Sequence, residues 1–151
     1  MRMEGKSCFF IGHREAPETI SAALAAEVRR HITELNVTEF VVRHYGRFDA
    51  TASRAVVAAK KEFPYVRLLM LIPYHPAESP IDPPKGYDGT YYPPGMENVP
   101  RRLAIVRANH YMVERSDYLI TYVRHNFGNT SLLVEEAESR ERRGLMQVPR
   151  V

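Results

Sequence analysis

Four apolar runs constrain the fold of this chain most, because each stops at a short cluster rich in glycine, histidine or tyrosine. Cys8-Phe9-Phe10-Ile11 runs into Gly12-His13-Arg14, and Phe40-Val41-Val42 runs into His44-Tyr45-Gly46-Arg47-Phe48-Asp49. Leu68-Leu69-Met70-Leu71-Ile72 runs into Tyr74-His75, and Tyr118-Leu119-Ile120-Thr121-Tyr122-Val123 runs into His125-Asn126-Phe127-Gly128-Asn129-Thr130. Helical spacing fills most of the chain between the runs. Strands that alternate with helices pair in parallel, which brings all four clusters to one edge of one sheet. Open α/β sheets bind their ligands at that edge.

The helices are legible from spacing and punctuation. Pro17 suits a first helical position with Glu18 behind it, and Ile20, Leu24, Val28, Ile32 and Leu35 mark one face. Asp49 is expected to cap a helix over about 50–62, whose inner face is Ala52, Ala55, Val56 and Ala59 and whose stop is Pro64. The next strand, about 66–72, is apolar nearly throughout, as a strand covered on both faces should be. From Pro73 to Pro100 eight prolines and three glycines argue against any helix or strand. Tyr74, Tyr87, Tyr91 and Tyr92 argue that this insertion is ordered. A helix over about 100–116 shows Leu103, Val106, His110 and Val113 on one face. A last helix, about 130–143, ends at Gly144, a natural cap, and residues 148–151 read as a short fifth edge strand. The expectation is one α/β domain over residues 1–151. It is a Rossmann-like three-layer domain with a mostly parallel sheet of four to five strands, right-handed crossovers and helices on both faces.

Composition excludes several classes. At 151 residues and 44% hydrophobic the chain can bury a real core. The net charge of +3 is mild and the basic residues are scattered, so nucleic acid is not an expected partner. The one dense basic run, Arg140 to Arg143, falls where cations meet the end of a helix dipole. A single cysteine, Cys8, excludes an internal disulfide and a multi-cysteine zinc site. No segment approaches the roughly 18–20 apolar residues of a membrane span, so no membrane partner is expected. The N-terminus leads into a strand without a signal-peptide apolar region, which points to the cytoplasm.

The strand ends carry the chemistry. Gly12, Gly46 and Gly128 let the backbone turn sharply and present N–H groups to an anion. Gly128-Asn129-Thr130 also opens the last helix, where free N–H groups and the dipole favour phosphate. Plain turn geometry explains the same glycines, and both readings stand. Arg14 and Arg47 follow strands closely and suit a phosphate or carboxylate. Asp49 has two readings, a helix cap or an acceptor for a ribose hydroxyl. His13, His44, His75 and His125 sit at four strand ends, but the usual metal spacings are absent and no metal is expected. His31 and His110 lie within helices and need no function.

The segment Cys8 to Arg14, the Tyr45-Gly46-Arg47-Phe48-Asp49 turn and the Pro73-Tyr74 pair resemble the YpsA-like proteins. So do residues Arg107 to Asp117 and the Gly128-Asn129-Thr130 loop. These proteins belong to the SLOG superfamily, Rossmann-like domains related to the LOG nucleotide hydrolases (lysine-decarboxylase-like) and to the DprA core. The resemblance covers about residues 7–137. It implies a pocket for a nucleotide or nucleotide-derived ligand, with Gly12, His13, Arg14, Gly46, Phe48, Asp49, Gly128 and Thr130 matching its motifs. Arg47, Tyr74 and Asn129 join them as candidate ligand contacts. It also raises a homodimer or larger assembly. The last loop departs from the family, with Phe127 and Asn129 flanking one glycine where two are usual. The paired acids come late, at Glu135-Glu136, and a shift of two or three positions turns a helical side chain by roughly 200–300°. The family's catalytic Arg falls nearest Arg107. The leading expectation is therefore a nucleotide-binding sensor or regulator without an unaltered hydrolase mechanism. The alternative is an enzyme cleaving a nucleotide N-glycosidic bond, with Asp49, Glu114, Glu135 and Glu136 as candidate acids. A DNA-processing accessory is a weaker third.

Overall fold

A computed structural model describes residues 5–122, 129–142, 144 and 148–150, with the backbone alone at 129–132. Its first strand, β1 (Lys6–Gly12), sets the plan. Successive side chains of a strand point to opposite faces, and Cys8, Phe9, Phe10 and Ile11 are all fully buried. A strand apolar on both faces needs cover on both sides. The same holds for β2 (Val37–Val42), β3 (Arg67–Leu71) and β5 (Tyr118–Tyr122), which with β4 (Gly89–Tyr91) form one sheet. The order is β4-β3-β2-β1-β5 and every pairing is parallel. Phe9 lies opposite Val41 on one side and Leu119 on the other.

Two apolar layers flank the sheet. On one face Cys8, Phe10, Phe40, Val42 and Leu68 pack with α1 (Ser21–Glu34) and α2 (Arg47–Glu62), through Leu24, Val28, Ala52 and Val56. On the other, Phe9, Ile11, Val41, Leu69 and Leu119 pack with α3 (Ala104–Arg115) and α4 (Asn129–Arg142), through Ala108, Met112, Leu133 and Ala137. Each large side chain so buried stabilises the fold by about 1.5–3 kcal/mol. The chain is a Rossmann-like α/β domain with helices on both faces of a parallel sheet. Among the described residues no helix is long and apolar enough to cross a membrane.

The differences from expectation have local causes. The 73–100 segment does contain a strand, β4, and a 3-10 turn at Met96–Asn98. Asp88 accepts bonds from the Leu68 N–H at 2.8 Å and the Lys60 ammonium at 2.6 Å, which pins the loop to β3 and α2. The helix α2 begins at Arg47, not Ala50, with Gly46 as the capping residue, so Asp49 stands inside the first turn. Its carboxylate still serves the helix start, accepting the Tyr45 N–H at 3.0 Å. Pro17 precedes a 3-10 turn, Glu18–Ile20, before α1 proper. The buried face of α3 is Ala104, Ala108, Asn109, Met112 and Val113, whereas Leu103 is 39% exposed. Small alanines let α3 sit close to the sheet. The expected fifth strand is reduced, among the described residues, to one bridge between Arg150 and Thr121 beside β5. Gly144 follows α4 with φ 73°, and its N–H donates to the Glu141 carbonyl, as expected of a cap.

His31 makes the fold sensitive to acid. It is fully buried on α1, with Nδ1 2.6 Å from the Glu27 carbonyl and its ring edge-on to Tyr118 at 5.3 Å. Its Nε2 has no partner among the described residues. Burial lowers its pKa below the ordinary 6.5, against a smaller upward pull from Glu27. The unfolded chain therefore takes up a proton near pH 6.5 that the folded chain resists, and stability falls as pH drops below that value. Melting temperature measured from pH 7.5 to 5 should fall in the wild type and fall less in His31→Phe. Parallel profiles would remove His31 from the cause.

Candidate functional site at the sheet's carboxyl edge

Close approach of the first two strand-end turns builds this edge. A Cβ on Gly12 would lie 2.3–2.6 Å from ring carbons of Phe48, and one on Gly46 would lie 2.7 Å from the Arg14 Cα. The Arg47 N–H donates to the Arg14 carbonyl at 2.9 Å, and the His13 N–H to the Tyr122 carbonyl at 3.2 Å. Packing of chain against chain thus accounts for both glycines. Phe48, expected at the ligand, is instead fully buried beneath Gly12, 6.5 Å from the Phe10 ring. What the interlock does present is charge. Arg14 and Arg47 are neighbours in space, both exposed. Neither guanidinium has an ion-pair or hydrogen-bond partner among the described residues.

Below them lies an ion pair that the sequence reading passed over. Arg43 directly follows β2 and is only 7% exposed, while Asp49 is 2% exposed. Arg43 Nε stands 3.5 Å from Asp49 Oδ1, and its Nη2 donates to the Gly12 carbonyl at 3.4 Å. The guanidinium also lies over the Tyr45 ring, 5.6 Å from its centre. Burial raises the Asp49 pKa, and Arg43 and the Tyr45 N–H pull it back. Burial likewise pushes the Tyr45 hydroxyl up to about 12, so it remains a neutral donor. Asp49 therefore ties the start of α2 to the turn after β2 and, through Arg43, to the end of β1. Its position is under the edge, where Arg43 already occupies it.

Two hollows continue along the same edge. A small one, about 160 Å³, lies between His44-Tyr45 after β2 and Ile72-Pro73-Tyr74 after β3. On the far side of Pro73-Tyr74 opens a cavity of about 610 Å³, lined among others by His75, Tyr92, Met96, Glu97 and Arg101. Arg101 stacks on the Tyr74 ring at 3.9 Å and donates to Ser79 Oγ at 3.4 Å. Tyr74 thus stands as the wall between the hollows. The larger cavity lies inside the range typical of small-molecule sites.

Asp49 lies apart from the other three candidate acids, which belong to α3 and α4 on the opposite face of the sheet. Asp49 is buried on Arg43. Glu114 and Arg107 line a separate groove of about 240 Å³ with Pro94, Gly95 and Tyr111. Glu136 Oε2 meets His110 Nδ1 at 2.5 Å, linking α4 to α3, and Glu135 is exposed on α4. His44 and His75 are exposed at their strand ends, and His75 Nδ1 accepts the Ala77 N–H at 3.0 Å. No group of three metal-ligating side chains occurs among the described residues. Cys8 is buried, and burial raises its thiol pKa far above the ordinary value. His125 and Gly128 lie outside the described residues, as do the side chains of Asn129 and Thr130. The backbone at 129 and 130 opens α4, at the end where an anion is favoured.

No family model matches the chain, and a search of curated proteins finds no match either.

Proposed function

We propose that the chain is a binding domain for a nucleotide or nucleotide-derived ligand, acting as a sensor or regulator, with the phosphate held by Arg14 and Arg47. One observation carries this reading. Two exposed arginines without described carboxylate partners, Arg14 and Arg47, meet through their backbones at the carboxyl edge of a parallel sheet. Like charges repel unless an anion joins them, and arginine engages phosphate through paired N–H bonds. The hollows further along the same edge offer aromatic walls for the rest of such a ligand. The motif resemblance to the YpsA-like branch of the SLOG superfamily supports the same ligand class.

Binding without hydrolysis is the reading favoured by the acids. Cleavage of an N-glycosidic bond needs a carboxylate at the anomeric carbon, and Asp49 is buried while Glu114, Glu135 and Glu136 belong to α3 and α4. The test is a thermal-shift panel of AMP, ADP, ATP, GMP, GTP, NAD, ADP-ribose and cyclic nucleotides, followed by analysis for free base. A ligand at 100 times its dissociation constant adds about 2.7 kcal/mol of stability, a rise of several degrees in Tm. At least one compound should produce it, and no free base should appear. No shift across the panel would overturn the reading, and release of base would move the chain to the enzymes.

A further inference from the structure

The 610 Å³ cavity has a donor and acceptor inventory that discriminates between purines. Its walls are flat or apolar, with Tyr74, Tyr92, Met96 and Val99 available to a planar ring. Its charged groups are Arg101, Glu78 and Glu97. Neither carboxylate has an ion-pair partner among the described residues. Burial first, then the charges of Glu97 and Glu78, raise the Tyr92 pKa, which places both carboxylates within electrostatic reach of that phenol. Arg101 is held by Tyr74 and Ser79, and it keeps further N–H groups for a ligand.

A carboxylate only accepts hydrogen bonds and a guanidinium only donates them. Guanine presents two adjacent donors, N1–H and the N2 amine, next to the O6 acceptor. Adenine presents an acceptor, N1, where guanine has N1–H, and a carboxylate set against that lone pair is repelled. An arginine reads the O6 and N7 edge of guanine through two bonds.

We infer that this cavity receives the base of the ligand and selects guanine over adenine, with Glu78 or Glu97 accepting from N1–H and the N2 amine and Arg101 donating to O6. The inference rests on the nucleotide reading above and names its base. The cavity follows β3 and the Arg14–Arg47 turn follows β1, with the small hollow after β2 and β3 on the same edge, so base and phosphate are assigned to two places along that edge.

The test is calorimetric titration of the full chain with GMP, IMP and AMP, repeated on Glu78→Gln and Glu97→Gln. The wild type should bind GMP about tenfold or more tightly than AMP, with IMP between them because it lacks the N2 amine. One of the two glutamine variants should lose that preference while keeping its melting temperature. If AMP binds as tightly as GMP, in a manner lost on Arg14→Ala, the base assignment is wrong and the nucleotide reading stands. A preference for GMP that survives both glutamine variants also overturns the assignment. If none of the three binds at millimolar concentration, the base assignment fails, while the nucleotide reading fails only if the wider panel gives no shift either.

Discussion

Replacing Asp49 by alanine should destabilise the protein by about 3–5 kcal/mol, the cost of leaving a buried guanidinium without its counter-charge. Arg43 is 7% exposed, and its other described contacts are a long bond to the Gly12 carbonyl and the Tyr45 ring. The Tyr45 N–H would lose its acceptor as well. Urea denaturation should therefore show a sharply lower midpoint with an unchanged slope. The double variant Arg43→Met/Asp49→Leu should recover most of the loss, because well-packed apolar side chains replace a buried pair at little cost. A loss below about 1 kcal/mol for Asp49→Ala would mean that water reaches the pair and that it does not organise the edge.

Gly12→Ala should cost about 3 kcal/mol, the upper end of the usual range for overpacking. The added methyl would stand 2.3–2.6 Å from Phe48 ring carbons, and the ring cannot retreat because it is fully buried against Phe10. Combining Gly12→Ala with Phe48→Leu should cost less than the sum of the two single changes by about 1 kcal/mol or more, as directly touching residues do. Strict additivity would place the strain elsewhere. Gly12 is thus required by packing, whatever binds above it.

Much of the architecture was legible because it depends on local pattern. The period of two in Cys8-Phe9-Phe10-Ile11 put apolar side chains on both faces of β1, and the spacing of Leu24, Val28 and Ile32 gave α1 its buried side. What escaped depends on partners distant in the chain. Gly89–Tyr91 becomes a strand only because β3 lies open beside it, and the proline count over 73–100 hid the proline-free stretch 85–92 that could have signalled it. The face of α3 was misjudged because Ala104 and Ala108 carry little hydrophobic weight in a pattern, though they permit the closest approach.

At the candidate site the strand-end turns stand where alternation put them, and Arg14 and Arg47 come together there. The roles of Phe48 and Asp49 were not readable, since burial beneath a turn leaves no mark in a motif. Arg43 could have been found. A charged residue directly after a buried strand, six positions before an aspartate at a helix start, needs a buried partner. Glu78, Glu97 and Arg101 carried no signal, because only the fold of the proline-rich segment brings them to one cavity.

The most direct measurement is a calorimetric titration of the strongest ligand from the nucleotide panel into the wild type and into Arg14→Ala/Arg47→Ala. Both arginines are exposed and neither guanidinium has a hydrogen bond or ion pair among the described residues, so the variant should keep its fold and melting temperature. The expected result is binding to the wild type and a loss of affinity of about tenfold or more in the variant, since hydrogen bonds to charged groups contribute about 1.5–3 kcal/mol each. Equal affinity in the two proteins, or no binding to the wild type at millimolar concentration, would contradict the assignment of this edge as a phosphate site.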